Sequence, residues 1–124
     1  MKVKYTRIYT DADGESHFED VDVELQETNF APPAPPANAS SFSPATQYNF
    51  LTAPPGWYGD WHPTPHRQIA FCLAGKVEVS VSDGEIRSFG PGDILLAEDT
   101  TGKGHLSRVV GSAEALTATV QLPD

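Results

Sequence analysis

Apolar and polar residues alternate along most of this 124-residue chain, and no helical period competes with that alternation. Lys2 to Thr10 and Ser16 to Leu25 each read as a half-buried strand, and Asp11-Ala12-Asp13-Gly14 between them is turn chemistry. Further short strands are expected near Tyr48–Leu51, Arg67–Ala74, Val77–Ser82, Glu85–Phe89, Ile94–Ala97, His105–Val110 and Leu116–Leu122. The segments between them carry Gly75, Asp83-Gly84, Gly90-Pro91-Gly92-Asp93 and Gly102-Lys103-Gly104, residues that turn the chain. Many short strands separated by turns predict an all-β sandwich or barrel, without internal repeats.

Ile69-Ala70-Phe71-Cys72-Leu73 is apolar on both faces of its strand. Ile69, Phe71 and Leu73 form a bulky face, while Ala70 and Cys72 form a small one. Small side chains turned into a barrel leave a cavity, and the bulky face then needs a cover. Two covers are available: a second copy of the chain, making a homodimer, or the chain's own proline-rich segment. That segment, Asn29 to Pro36 followed by the Ala/Ser-rich Asn38 to Ser43, lacks the N–H donors of a central strand. It reads either as an ordered strap over the barrel or a partner, or as a flexible linker; Phe30 and Phe42 favour the strap. One structural domain is expected, with residues 1–47 packing on a barrel formed by residues 48–124.

Charge narrows the partners. Eight Lys and Arg against 17 Asp and Glu give a net charge of −9, which repels phosphate backbones and anionic lipid. Nucleic acid and membrane are therefore not expected partners, and a small molecule is. No apolar run approaches the length of a bilayer span, and the first ten residues carry no apolar leader. The single cysteine, Cys72, excludes an intrachain disulfide and argues against a thiolate metal cluster. On these absences a cytoplasmic location is expected.

Candidate chemistry concentrates in Gly56-Trp57-Tyr58-Gly59-Asp60-Trp61-His62-Pro63-Thr64-Pro65-His66-Arg67-Gln68, with Gly75 beyond it, then Gly92-Asp93 and His105. This spacing resembles that of the cupins, whose first motif reads G-x5-H-x-H-x3-E-x6-G and whose second pairs a Gly-Asp turn with a third histidine. The resemblance covers residues 56–110. It implies a cupin-type double-stranded β-helix, or jelly-roll barrel, here with an N-terminal strand pair and a proline-rich strap. It further implies a divalent metal (Fe, Mn, Ni or Zn) held in the barrel. The ligand identities depart from the family pattern, because Thr64 falls where the second histidine would stand and Gln68 where the glutamate would stand. His62, Gln68 and His105 remain as expected donors, with His66 as a substitute. Thr64, Trp61 and Cys72 are expected to bind a ligand, and Trp57, Tyr58 and Trp61 either cap the pocket or seal the barrel end.

The remaining polar residues have plainer expectations. His17 is read as solvated, Lys103 as a mobile rim residue, and Glu98 with Asp99 as a solvated loop pair. In a cupin that loop rims the pocket, where one of the two could serve as a general base. Two functions stay open. One is a metal-dependent enzyme acting on a small organic substrate, as a Lewis-acid isomerase or lyase or as a dioxygenase. The other is a non-catalytic or metal-free ligand-binding cupin.

Overall fold

Twelve strands and no helix account for the regular structure of the chain, which the computed structural model describes over residues 1–124. In chain order they are β1 (Val3–Thr10), β2 (Ser16–Val23), β3 (Gln26–Thr28), β4 (Ala37–Ala39), β5 (Gln47–Ala53) and β6 (Tyr58–His62). Then follow β7 (Gln68–Ala74), β8 (Lys76–Val81), β9 (Ile86–Phe89), β10 (Ile94–Ala97), β11 (His105–Val110) and β12 (Ala115–Gln121). A six-stranded sheet runs β2-β1-β10-β7-β12-β5 and a four-stranded sheet runs β6-β11-β8-β9; β3 and β4 form a separate ribbon. The chain is all-β, and none of its segments is a helix long and apolar enough to cross a membrane.

Registers show how the alternation of the sequence is used. On β7, Ala70 stands opposite Leu95 and Thr119, whereas Ile69 stands opposite Leu96 and Val120, and Phe71 opposite Ile94 and Ala118. Directly paired residues share a face, so the small residues of β7 look into the barrel and the bulky ones look out. The inner side closes on a buried cluster of Ile8, Phe18, Val79, Val81 and Phe89, with Cys72, Val77 and Leu95 packed against it. The N-terminal strands are part of the barrel wall. β1 lies between β2 and β10, parallel to β10, and delivers Ile8, fully buried, to the core.

Most strand ends agree with the alternation to within one or two residues. Three strands lie outside the expected set. Tyr58–His62 is a strand because it pairs with β11, although its Gly, Asp and Trp content gives no clean alternation. The proline-rich segment is flanked by the short β3–β4 ribbon, which pairs only with itself. Past the ribbon, Ser40 to Ala45 crosses the outer face of the six-stranded sheet on its way from β2, one edge strand, to β5, the other.

His17 is not free in solvent. Its Nδ1 lies 2.8 Å from an Asp83 carboxylate oxygen and its Nε2 lies 2.7 Å from one of Asp11. The β1–β2 turn is thereby clasped to the β8–β9 turn. Lys103 also has partners, since its ammonium reaches Glu15 and its backbone N–H donates to Gly14. The two carboxylates hold the His17 ring above its ordinary 6.5 by accepting its protons, chiefly Asp11, and hydrogen bonds hold Asp11 and Asp83 below their ordinary 3.8. A raised histidine stabilises fully below its unfolded value and loses the effect as pH rises through the folded value. A lowered carboxylate stabilises above its unfolded value and loses the effect as pH falls through the folded one. The clasp therefore acts most strongly between the ordinary carboxyl and imidazole ranges. We expect urea melts of wild type and His17→Gln to differ most near pH 5 and to converge above neutrality, by a small amount because the ring is partly hydrated; a difference independent of pH would contradict the assignment.

Candidate functional site

Inside the barrel, the small inner residues of β7 and β12 leave a cavity of about 420 Å³. Of the 18 residues lining it 12 are hydrophobic, so its polar groups are few and identifiable. They are Gln68 on β7, Thr117 and Thr119 on β12, Thr52 on β5, and His105 and Ser107 on β11; the Cys72 thiol on β7 lies among them. Trp57 and Leu51 complete one side. The thiol of Cys72 is pushed up to about 11 by burial, helped by the nearby Asp93 charge. At neutral pH it is a protonated wall group rather than a nucleophile or thiolate donor.

His105 begins β11 and is only 9 % exposed. Its Nδ1 lies 2.7 Å from Asp99 Oδ2, and the other oxygen of that carboxylate accepts a 2.8 Å hydrogen bond from the Thr64 hydroxyl. The Thr64 N–H also donates to the Asp99 carbonyl at 2.9 Å. Asp99 itself is completely buried, and Thr64 is 2 % exposed. A carboxylate on Nδ1 fixes the proton there, so in the neutral ring Nε2 is left as a bare acceptor on a side chain that lines the cavity.

The loop entering His105 is shaped by close backbone approach. Gly104 has φ +70°, and a Cβ there would stand 2.0 Å from the carbonyl oxygen of His62. No other residue type fits, which explains a glycine beside the histidine and sets β6 against β11 at this point. His62 is the residue opposite His105 in that pairing, with ring centroids 4.9 Å apart. It is exposed at the rim, and its Nδ1 donates to the carbonyl of Asp60 at 2.6 Å.

The structure thus brings together His105, Gln68 and Cys72 as cavity-lining residues, with His62 beside His105. It does not bring in the others. His66 is exposed and outside the cavity lining, Trp61 is 46 % exposed on β6 and also outside it, and Thr64 is held beneath the rim by Asp99. Asp99 and Glu98 are not a solvated pair. Glu98 is bridged by Arg7 and Arg67, whose guanidinium groups outweigh its burial and hold its carboxyl below the usual range. Asp99 lies buried beneath His105 rather than solvated, and its only sequence signal is an acid six positions before His105, in a glycine-bounded loop.

These donors do not fit a resident divalent metal. No three His, Cys, Asp or Glu side chains converge on one point. Beside His62 and His105, Gln68 offers only an uncharged amide oxygen, and the Cys72 thiol keeps its proton. Two imidazoles and an amide carry no negative charge to offset a dication.

Comparison with known proteins bears on the fold. No protein-family model and no curated protein matches the sequence. The cupin domain of Cnp3 from Schizosaccharomyces pombe superposes with a TM-score of 0.54 at 10 % identity, over 99 % of this chain and 84 % of that one. The fold is that of a small cupin-type domain. A cupin 2 conserved barrel protein from Salinispora arenicola CNS-205 gives 0.49 at 18 % identity, over 82 % of this chain and 76 % of that one. A cupin-2 domain protein from Shewanella frigidimarina gives 0.44 at 12 %, over 62 % and 70 %. At such identities the shared feature is the cupin-type barrel alone.

The Asp99 arrangement makes a direct prediction for this cupin-type barrel. Asp99→Ala leaves the Thr64 hydroxyl and His105 Nδ1 without their acceptor, and should cost about 3 kcal/mol in chemical denaturation. Asp99→Asn should remain folded, because it keeps the shape, but an amide turned toward Nδ1 reverses the tautomer. The ¹⁵N shifts of His105 should then report a protonated Nε2; an unchanged tautomer would show that Asp99 does not set it.

Proposed function

We propose that this domain binds a small, largely apolar organic molecule inside the barrel, without a metal, through hydrogen bonds to His105 and Gln68. The observation that carries the reading is the His105 ring, oriented by the buried Asp99 and lining a cavity whose other walls are mostly hydrophobic. About 420 Å³ lies within the range of small-molecule sites, which are largely apolar with a few converging polar groups. Nε2 asks for a donor such as a hydroxyl, while the Gln68 amide can both donate and accept. Trp57 forms part of the wall, so a flat or ring-bearing ligand has an aromatic surface to lie on.

A second reading uses the same pair. An imidazole backed by a buried carboxylate is suited to accept a proton from a bound molecule, since the carboxylate stabilises the imidazolium that results. Asp99 and His105 would then make the domain a metal-free proton-transfer enzyme. A metal-dependent enzyme is supported less, because the donor set is neutral and incomplete.

Thermal melting separates these readings. A ligand present at about a hundredfold over its Kd stabilises by about 2.7 kcal/mol, or roughly 10 °C for a chain of this size. We expect hits from a panel of uncharged hydroxylated and ring-bearing organic molecules to persist in excess chelator and to be lost in His105→Phe. Gln68→Glu should weaken those hits and confer no stabilisation by Fe, Mn, Ni or Zn. Hits abolished by chelator, together with metal-dependent stabilisation of Gln68→Glu, would overturn the metal-free reading.

A further inference from the structure

The two sheets leave two seams in the barrel wall that no backbone ladder closes. The six-stranded sheet ends at β2 and β5, and the four-stranded sheet at β9 and β6. The seam between β2 and β9 is plugged by Phe18 against Phe89, both buried with ring centroids 6.3 Å apart, and is spanned by the Arg87–Asp20 ion pair. The seam between β5 and β6 has only side chains to close it. Every residue lining the cavity is buried or half-buried except Leu51, Thr52 and Trp57, and all three lie on β5 or on its connection to β6. The cavity therefore meets solvent here.

Trp57 has a seat at this seam. Its backbone is fixed, because the Gly56 N–H donates to the Val109 carbonyl at 3.2 Å and the Val109 N–H donates to the Trp57 carbonyl at 2.9 Å. Its six-membered ring lies on Gly59: a Cβ on that residue would stand 2.6 Å from Cη2 and 3.0 Å from Cζ3 of the indole. Gly59 pairs with Ser107, which lines the cavity, so position 59 faces inward and a side chain there would take the space that the indole fills. The backbone of Gly59 does not ask for glycine, since its φ lies outside the left-handed region. Room for the Trp57 ring is what this glycine supplies.

We propose that Trp57 is the specificity-determining gate of the cavity and that Gly59 is the seat that holds it closed. The proposal rests on the reading of the cavity as a ligand site, and adds where a ligand enters and of what kind. Opening needs only a side-chain rotation about a fixed backbone, a fast motion for an exposed residue. The ring swung off Gly59 vacates a flat strip on the inner face of β6, and none of Leu51, Thr52 and Trp57 carries a charge. The molecule admitted is uncharged and has a flat ring that takes the place of the indole.

Cys72, the only cysteine and a cavity-lining residue, reports on the gate without any ligand. The probe is dipyridyl disulfide, uncharged and ring-bearing: the Cys72 thiolate attacks its disulfide, forms a mixed disulfide and releases a coloured thiopyridone. Rates are compared at equal thiolate fraction, taken from the pH profile of each variant. Trp57→Ala should speed the reaction about tenfold, and Gly59→Ala, which lifts the ring, about threefold. Adding Gly59→Ala to Trp57→Ala should change nothing further, and Trp57→Phe should bring Gly59→Ala back toward the wild-type rate. If Trp57→Ala does not fold, Trp57→Leu serves in its place. Equal rates in wild type and both single variants overturn the gate. So does a Gly59→Ala effect that persists without Trp57, which marks a loosened barrel instead. A ligand screen without hits beside the expected rates overturns only the binding reading, and hits beside unchanged rates overturn only the gate.

Discussion

The buried carboxylate of Asp99 is the joint on which the open end of the barrel depends. It lies two residues past the end of β10 of the six-stranded sheet, yet it holds Thr64, just past β6, and His105, at the start of β11. Both of those strands belong to the four-stranded sheet. A fully buried carboxylate is stable only when its oxygens are satisfied, and here each oxygen has one protein donor. The same bonds that hold the sheets together at this end fix the His105 ring. Architecture and site therefore share one interaction.

Much of the fold was legible because the alternation is strong where the barrel is two-layered. Ile69-Ala70-Phe71-Cys72-Leu73 shows this best. Its bulky and small residues alternate without exception, and the structure assigns them to the outer surface and the cavity respectively. Illegible elements were those defined by partners distant in sequence. Tyr58–His62 is a strand only because β11 lies beside it, and His17 is clasped only because Asp83 is brought close by the fold. Local pattern carries no record of such neighbours.

The site was legible in position and less so in role. Spacing led to His62, Gln68 and His105, which do lie at or near the cavity. Spacing could not say that His66 turns to solvent, where the two prolines around Thr64 carry the chain away from regular strand geometry. Nor could it show that Thr64 serves a carboxylate rather than a ligand. What is left inside the barrel is a small set of polar groups, without Lys, Arg, Asp or Glu, in apolar walls.

β5 ends the six-stranded sheet, and one row of its backbone N–H and C=O groups has no strand beside it. With Tyr48, Phe50 and Leu51 on it, that strand is an adhesive border on which any extended chain could template. The sequence confines it: Pro44 lies just before the strand and Pro54-Pro55 just after, so the ladder cannot lengthen in either direction. The prolines thus act as gatekeepers, keeping a sticky edge short enough to remain within a folded protein rather than seed a fibril.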